Sequence, residues 1–258
     1  MLGTEGNWME ETSEDLLLET CLLAGKIMME SGAEMYRVED TMSRIAETAT
    51  ETKGISFVTP TGIFMALQGG STVKMEQIPT RTINLEKVSM VNDLSREFTM
   101  RKISLGKLYT QLRSLDKEVK FFPVWLQVMA SAVVSGTLMM IFGGVWKDFI
   151  ATSLIGAIGF VIFYYGTEFF KVKFLAEFLA AFSIGLLSVL VISIGWGVSL
   201  DKMVIGAVMP LVPGVPITNA VRDLLAGHLL SGMARGTEAL ITAGTIGIGI
   251  AVVFRFFT

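Results

Sequence analysis

The stretch Pro210-Leu211-Val212-Pro213-Gly214-Val215-Pro216-Ile217-Thr218-Asn219 sets three prolines within seven residues, inside a run, 203–221, that carries no charge. A helix continued through it would lose backbone donors, and the rings of Pro213 and Pro216 would clash with the preceding turn. An apolar segment of this length therefore predicts a membrane span that breaks into half-helices around Gly214, a residue that tolerates any positive φ the turn demands. Backbone released from helical pairing is expensive at membrane depth. It is tolerated where protein buries it or a watery cavity solvates it, and broken helices of this kind mark substrate sites in secondary transporters.

Working outward, uncharged runs near the length that crosses the hydrocarbon core recur at 121–146, 149–167, 178–200, 203–221 and 239–254. They predict an α-helical polytopic membrane protein of about five transmembrane helices, the fourth broken, with its ends on opposite sides. Apolar residues make up 52% of the chain, yet of its 45 Lys, Arg, Asp and Glu residues 32 fall in 1–120 and 13 in 121–258. Two domains follow: 1–120, soluble and cytoplasmic, and 121–258, a transmembrane helical bundle. A net charge of −3 without a basic stripe gives no support for nucleic-acid binding. The acidic start (Glu5, Glu10, Glu11, Glu14, Asp15) has no basic region or early apolar core, so no cleavable signal peptide is expected. Cys21, the single cysteine, sits in an apolar helical run and reads as a buried thiol.

Basic residues beside the spans set orientation, since cytoplasmic loops carry the excess of Lys and Arg. Arg101, Lys102, Lys107, Arg113, Lys117 and Lys120 precede the first span, Lys171 and Lys173 join the second to the third, and Arg222 and Arg235 join the fourth to the fifth. The other side carries Lys147, Lys202 and Arg255. The N-terminus is thus expected in the cytoplasm and the C-terminus in the periplasm.

The soluble half reads as α+β. Residues 13–50 are helical in period, with Leu17, Cys21, Ala24 and Met28 on one face and Val38, Met42, Ile45 and Ala49 on another. Ser31 and Glu34 stand at capping-box spacing, so the helix is expected to restart there. Residues 55–68 and 71–78 read as two strands joined at Gly69-Gly70, followed by helices over 84–100 and 104–120, the last feeding the first span.

Polar residues of the membrane half are few enough to weigh singly. Thr218, Asn219, Arg222 and Asp223 follow the break, where ionisable groups are default candidates for substrate binding or gating; the bland reading is a helix cap at Thr218 and interfacial charges. Glu177 and Glu238 enter the third and fifth spans and are candidates for proton coupling, against pairing with Lys173 and Arg235. His228, the only histidine, builds no metal site alone. Glu34 and Arg37, one helical turn apart near Glu39, read by local chemistry alone as a structural ion pair.

Three strings together carry a resemblance: Ser31-Gly32-Ala33-Glu34-x-Tyr36-Arg37-Val38-Glu39, Thr59-Pro60-Thr61-Gly62-Ile63-Phe64, and Pro213-Gly214-Val215-Pro216-Ile217-Thr218-Asn219-Ala220-Val221-Arg222-Asp223-Leu224-Leu225-Ala226-Gly227. The chain resembles, over nearly its whole length, the larger five-span subunit of the bacterial threonine/serine exporter family. The resemblance implies an inner-membrane exporter of threonine, serine or a dicarboxylate such as succinate. It gives a functional reading to the Glu34, Arg37, Glu39 motif. Fused members carry a second membrane domain, so with the chain stopping at Thr258 a separate small multi-span subunit is implied as partner, in a hetero-oligomer. The chain departs from the pattern at His228, where an acidic residue is usual, which leaves proton coupling at that position without its carboxylate.

The mechanism expected is secondary export, with Pro213, Gly214, Pro216, Thr218, Asn219, Arg222 and Asp223 forming the substrate and gating segment. Half-helix ends would hold a zwitterion while Arg222 offers a fork for a carboxylate. No G-x-x-x-x-G-K-[ST] loop occurs, so the proton gradient rather than ATP is expected to drive it, with no cofactor and no metal. A membrane hydrolase would need paired aspartates, whereas Asp148, Asp201 and Asp223 lie at span edges, so no catalytic residue is assigned. The alternative is a regulatory or scaffold subunit whose soluble domain senses a metabolite. Small residues at Gly136, Gly156, Gly159, Gly247 and Gly249 are expected to admit the close helix contacts of subunit assembly.

Overall fold

Helix α1 (Glu14–Glu30) is buried on nearly every side, with Leu17, Leu18, Cys21, Ala24, Ile27 and Met28 at most 1% exposed. It is the central helix around which α2 (Met35–Thr50) and the elements that follow it pack. The computed structural model describes residues 14–117 and 122–257, which fall into two compact units. One comprises 14–117 together with Thr218–Arg235; the other comprises Phe122–Ile217 with 236–257.

In the first unit α1 ends where Gly32 takes the left-handed conformation at φ 86°; Gly32 N–H bonds to Met29 O and Ala33 N–H to Met28 O, the Schellman closure. The helix restarts as expected, but not through a capping box. Glu34 is the N-cap of α2 and its side chain makes no cap bond, because it is engaged elsewhere. The sheet corrects the expectation of two strands. Residues 54–67 fold as a hairpin of β1 (Gly54–Thr59) and β2 (Gly62–Leu67), turned at Pro60-Thr61, where the Thr59 hydroxyl bonds both the N–H and the C=O of Gly62. β3 (Val73–Gln77) adds antiparallel to β2 after a turn in which Gly69 has φ 82°, as its sequence predicts. Val58, Ile63, Met65 and Leu67 face the core. Asn84 caps α3 (Leu85–Thr99) by accepting from Lys87 N–H at 3.1 Å, and α4 (Leu105–Lys117) follows. The expected continuation of α4 into the first span lies outside the described residues.

The second unit is a bundle of α5 (Val124–Ile141), α6 (Trp146–Phe170), α7 (Lys173–Ser193), α8 (Leu200–Val208) and a 3₁₀ turn (Met209–Leu211), with the start of α9 (Gly214–Leu225) and most of α10 (Leu229–Phe257). Among the described residues α5, α6, α7 and α10 are long and apolar enough to cross a membrane, and the count reaches five if the bent α8–α9 pair is one span. Charge-free runs locate span cores but not helix ends: α7 begins at Lys173 and α10 at Leu229, so Glu177 and Glu238 lie inside helices.

Large apolar side chains such as Trp125, Ile150, Leu240 and Ile248 point outward, while Ser135, Gly156, Ala180 and Gly185 pack inward, the pattern of helices that associate in lipid. A Cβ at Gly156 would lie 2.0 Å from Ser135 Oγ, at Gly136 2.3 Å from Ser153 Oγ, at Gly159 2.5 Å from Ile184 Cδ1 and at Gly249 2.9 Å from Phe178 O. These four close approaches are therefore made within the chain, contrary to the expectation that they serve subunit assembly. Gly247 alone of the five has nothing within 4 Å. Gly156→Leu should accordingly destabilise the solubilised protein by about 1–3 kcal/mol, whereas Gly247→Leu should leave its thermal unfolding unchanged. Equal effects of the two would contradict this packing.

Candidate functional site

The break in the fourth apolar run is built by its prolines. Pro210 lies in the 3₁₀ turn after α8, Val212 is extended (ψ 129°) as the residue before a proline tends to be, and α9 restarts at Gly214. Pro216 falls in the first turn of α9, where a missing N–H costs no helical bond. The two helices differ in direction by 63°. Gly214 is not among the glycines with positive φ, so the turn does not draw on that tolerance: extended Val212 makes the bend. A Cβ at Gly214 would meet open space, with no atom within 4 Å beyond its chain neighbours and its own helix backbone, as at several other glycines.

In the first unit the two most distant family strings meet. The α1–α2 loop leaves carbonyls and an amide outside helical pairing, and three side chains from 219–235 satisfy them. Asn219 Nδ2 donates to Gly32 O at 2.8 Å, Arg235 Nη2 donates to Ala33 O at 2.9 Å, and Met35 N–H donates to Asp223 Oδ1 at 3.1 Å. Asp223 and Arg235 lie 3.5 Å apart and are both buried. Glu34, 6% exposed, takes Arg222 Nη1 on one oxygen and Arg37 Nη1, at 3.3 Å, on the other. Burial pushes the Glu34 carboxyl up, but its own backbone N–H and the hydrogen bonds and charge of Arg222 and Arg37 outweigh it, holding it below the usual carboxylate value.

Sequence reasoning thus singled out Asn219, Arg222, Asp223, Glu34 and Arg37, and the structure brings them together, with Asn219 and Asp223 used to hold backbone. Arg222 remains 56% exposed at its side chain, with Nη1 the nitrogen that Glu34 engages. Thr218 sits inside α9 and is not its N-cap, correcting the bland reading of that residue. Glu39 stands apart from Glu34 and faces His228, 3.8 Å away; burial pushes its carboxyl up, with His228 and the Val58 backbone N–H pulling it back. Arg235 was read as a flanking charge and as a pairing partner for Glu238. Its signal was an arginine inside the apolar stretch that opens α10.

In the second unit Lys173 lies 3.1 Å from Glu238 and 3.8 Å from Glu177, and Thr242 donates to Glu177 at 3.2 Å. Glu177 is 2% exposed. No group of three or more His, Cys, Asp or Glu among the described residues is placed to hold a metal.

A family profile described as "Putative threonine/serine exporter" matches residues 19–257. A Mycobacterium tuberculosis protein named "Probable threonine/serine exporter" is 19% identical over 252 residues, 94% of this chain but 46% of the relative. An uncharacterized Schizosaccharomyces pombe protein is 22% identical over 93% of this chain and 30% of its own length. The Escherichia coli "Probable succinate transporter subunit YjjP" is 23% identical over 95% of this chain and 96% of its own. The chain therefore spans about half or less of the first two relatives and nearly all of the third. No solved structure matches it.

Asp223→Ala would leave Arg235 buried without its carboxylate and Met35 N–H without an acceptor, and should cost about 3–5 kcal/mol; a double Asp223→Ala, Arg235→Ala variant should lose less than the sum of the singles. Because the Glu34 pKa is lowered by folding, its stabilisation is complete above the ordinary carboxylate value and is lost as pH falls through the lower, folded value. Thermal unfolding of the solubilised protein from about pH 7 to pH 3 should thus show a decline that Glu34→Gln flattens.

Proposed function

Since the chain belongs to the threonine/serine exporter family, we propose that it is the larger subunit of a secondary exporter for small hydrophilic metabolites, threonine- or serine-like amino acids or a dicarboxylate such as succinate. It is a multi-pass membrane protein, and its family is one of transporters, not of enzymes. The observation that carries the reading is the family match across 19–257 coinciding with a proline-broken apolar helix. In this reading the protein lies in a bacterial inner membrane with five spans, residues 1–120 in the cytoplasm and the C-terminus outside. Substrate meets the broken segment from Pro213 to Asp223: the open space at Gly214 admits it to backbone, Arg222 presents free guanidinium edge to a carboxylate, and Asn219 and Asp223 fix the segment to the Ser31–Glu34 loop. The relative it matches nearly end to end is named a transporter subunit, which supports a separate small multi-span membrane protein of the same family as partner. Proton-motive force is the drive.

A second reading, a regulatory subunit that senses a metabolite, draws support from a groove of about 550 Å³ in the first unit, lined by Glu19, Lys74, Arg113, Asp116 and Lys117. Its mixed charges suit a small zwitterion or dicarboxylate.

Export of threonine, serine and succinate, measured with and without the small subunit and normalised to membrane protein level, separates the two. Gly214→Leu should abolish export without unfolding the protein, since Leu has room there. Arg222→Lys should impair it, because a point charge does not reproduce a bidentate fork. Parental rates in both variants would remove the broken segment from the transport path and leave the sensor reading, whose own test is loss of regulation in Arg113→Ala. Reporter fusions at Met1 and Thr258 should report opposite sides, and the purified chain alone in liposomes should be silent.

A further inference from the structure

Lys173 stands beside two carboxylates in the second unit. Lys173 Nζ lies 3.1 Å from Glu238 Oε1 and 3.8 Å from Glu177 Oε1, and the Thr242 hydroxyl donates to that same Glu177 oxygen. The other oxygen, Glu177 Oε2, is buried and has no hydrogen-bond partner among the described residues. Glu177 is 2% exposed, in a helix whose most apolar 18-residue stretch has a mean hydropathy of 2.3. A buried charge without compensation is expensive in hydrocarbon.

Among the described residues the neighbouring elements bring no second cation into contact with Glu177. From α6, Lys147 donates to Gly195 O, Asp148 accepts from the Val198 and Ser199 amides, and Glu168 is exposed. On α8, Asp201 and Lys202 pair with each other. On α10, Arg235 holds Asp223 and Ala33 O, and Arg255 is exposed in the last turn. A proton on Glu177 Oε2 removes the buried charge, gives that oxygen an O–H, and frees Lys173 to hold Glu238. A metal cation fits less well, because the Lys173 ammonium already occupies the position between the carboxylates.

We infer that Glu177, Lys173, Glu238 and Thr242 form the coupling site of the exporter, at which Glu177 binds a proton from one side of the membrane and releases it to the other. Loss of that proton returns Lys173 to both carboxylates, so occupancy of Glu177 changes how α7 is tied to α10. Lys173 and Thr242 act as positioning residues for it. The inference rests on the secondary-export reading above.

The test uses membrane vesicles holding the full chain with the small family subunit, and labelled threonine, serine and succinate as probes. Two modes are measured: transport driven by an imposed pH gradient, and equilibrium exchange, which needs no net proton movement. Glu177→Gln should lose gradient-driven transport and keep exchange, with a pH profile of exchange that is flat where the parent's is not. Thr242→Val, a milder change, should slow gradient-driven transport and shift its pH profile. Gradient-driven transport in Glu177→Gln, loss of exchange together with drive while the protein remains folded by gel filtration, an unshifted profile in Thr242→Val, or drive by a sodium gradient in place of protons would each overturn the coupling site. A parent that exchanges but ignores the pH gradient overturns proton-driven export itself, and is told apart from those outcomes because it appears without any substitution.

Discussion

Backbone groups that helices leave unpaired must be satisfied by something, and in the first unit Asn219, Asp223 and Arg235 do it. The carbonyl of Ala33 and the amide of Met35 are buried, and the carbonyl of Gly32 partly so, in a loop that a left-handed glycine forces out of helical geometry. Without those side chains each would carry the desolvation cost of an unmade hydrogen bond, about 1–3 kcal/mol. The position of Glu34 follows from the same contact, because the loop so held delivers its carboxylate to Arg222. The residues that make up the family strings are therefore tied to one another by geometry as well as by pattern.

What was legible in the sequence was local and covalent. Proline lacks an N–H wherever it stands, so the break before Gly214 was readable, as was Pro216 inside the first turn of the next helix. Asn84 caps α3 and Gly69 turns the β2–β3 hairpin for equally local reasons. Pro60 was passed over because the apolar run on either side hid a two-residue hairpin. Glu34 was assigned to a capping box because spacing cannot show that a partner 188 residues away takes its side chain.

The candidate sites were legible in part, and for the same reason. Asn219, Arg222 and Asp223 stood out as polar groups beside a broken span, yet their partners in the Gly32–Met35 loop follow from no periodicity. The bonds of Arg235 to Asp223 and Ala33 were missed, since they depend on those groups being brought to it. Lys173, Glu177, Glu238 and Thr242 come from two helices whose sequences each read as apolar. Gly156 and Gly247 look alike in sequence and differ only in what faces them, a serine hydroxyl in one case and open space in the other.

The composition of the first unit has a bearing on the order in which the chain acquires its structure during synthesis. The loop at Gly32 is made early, but the side chains that satisfy it arrive with Thr218–Arg235. Residues 122–217, which separate the two segments of this unit, take roughly 5–20 s to translate. Throughout that interval the N-terminal segment has its core helices but not the partners for three backbone groups and the Glu34 carboxylate. Its completion waits on the synthesis of the apolar helices α5 to α8, so the ribosome, rather than the N-terminal sequence, times the closure of this unit.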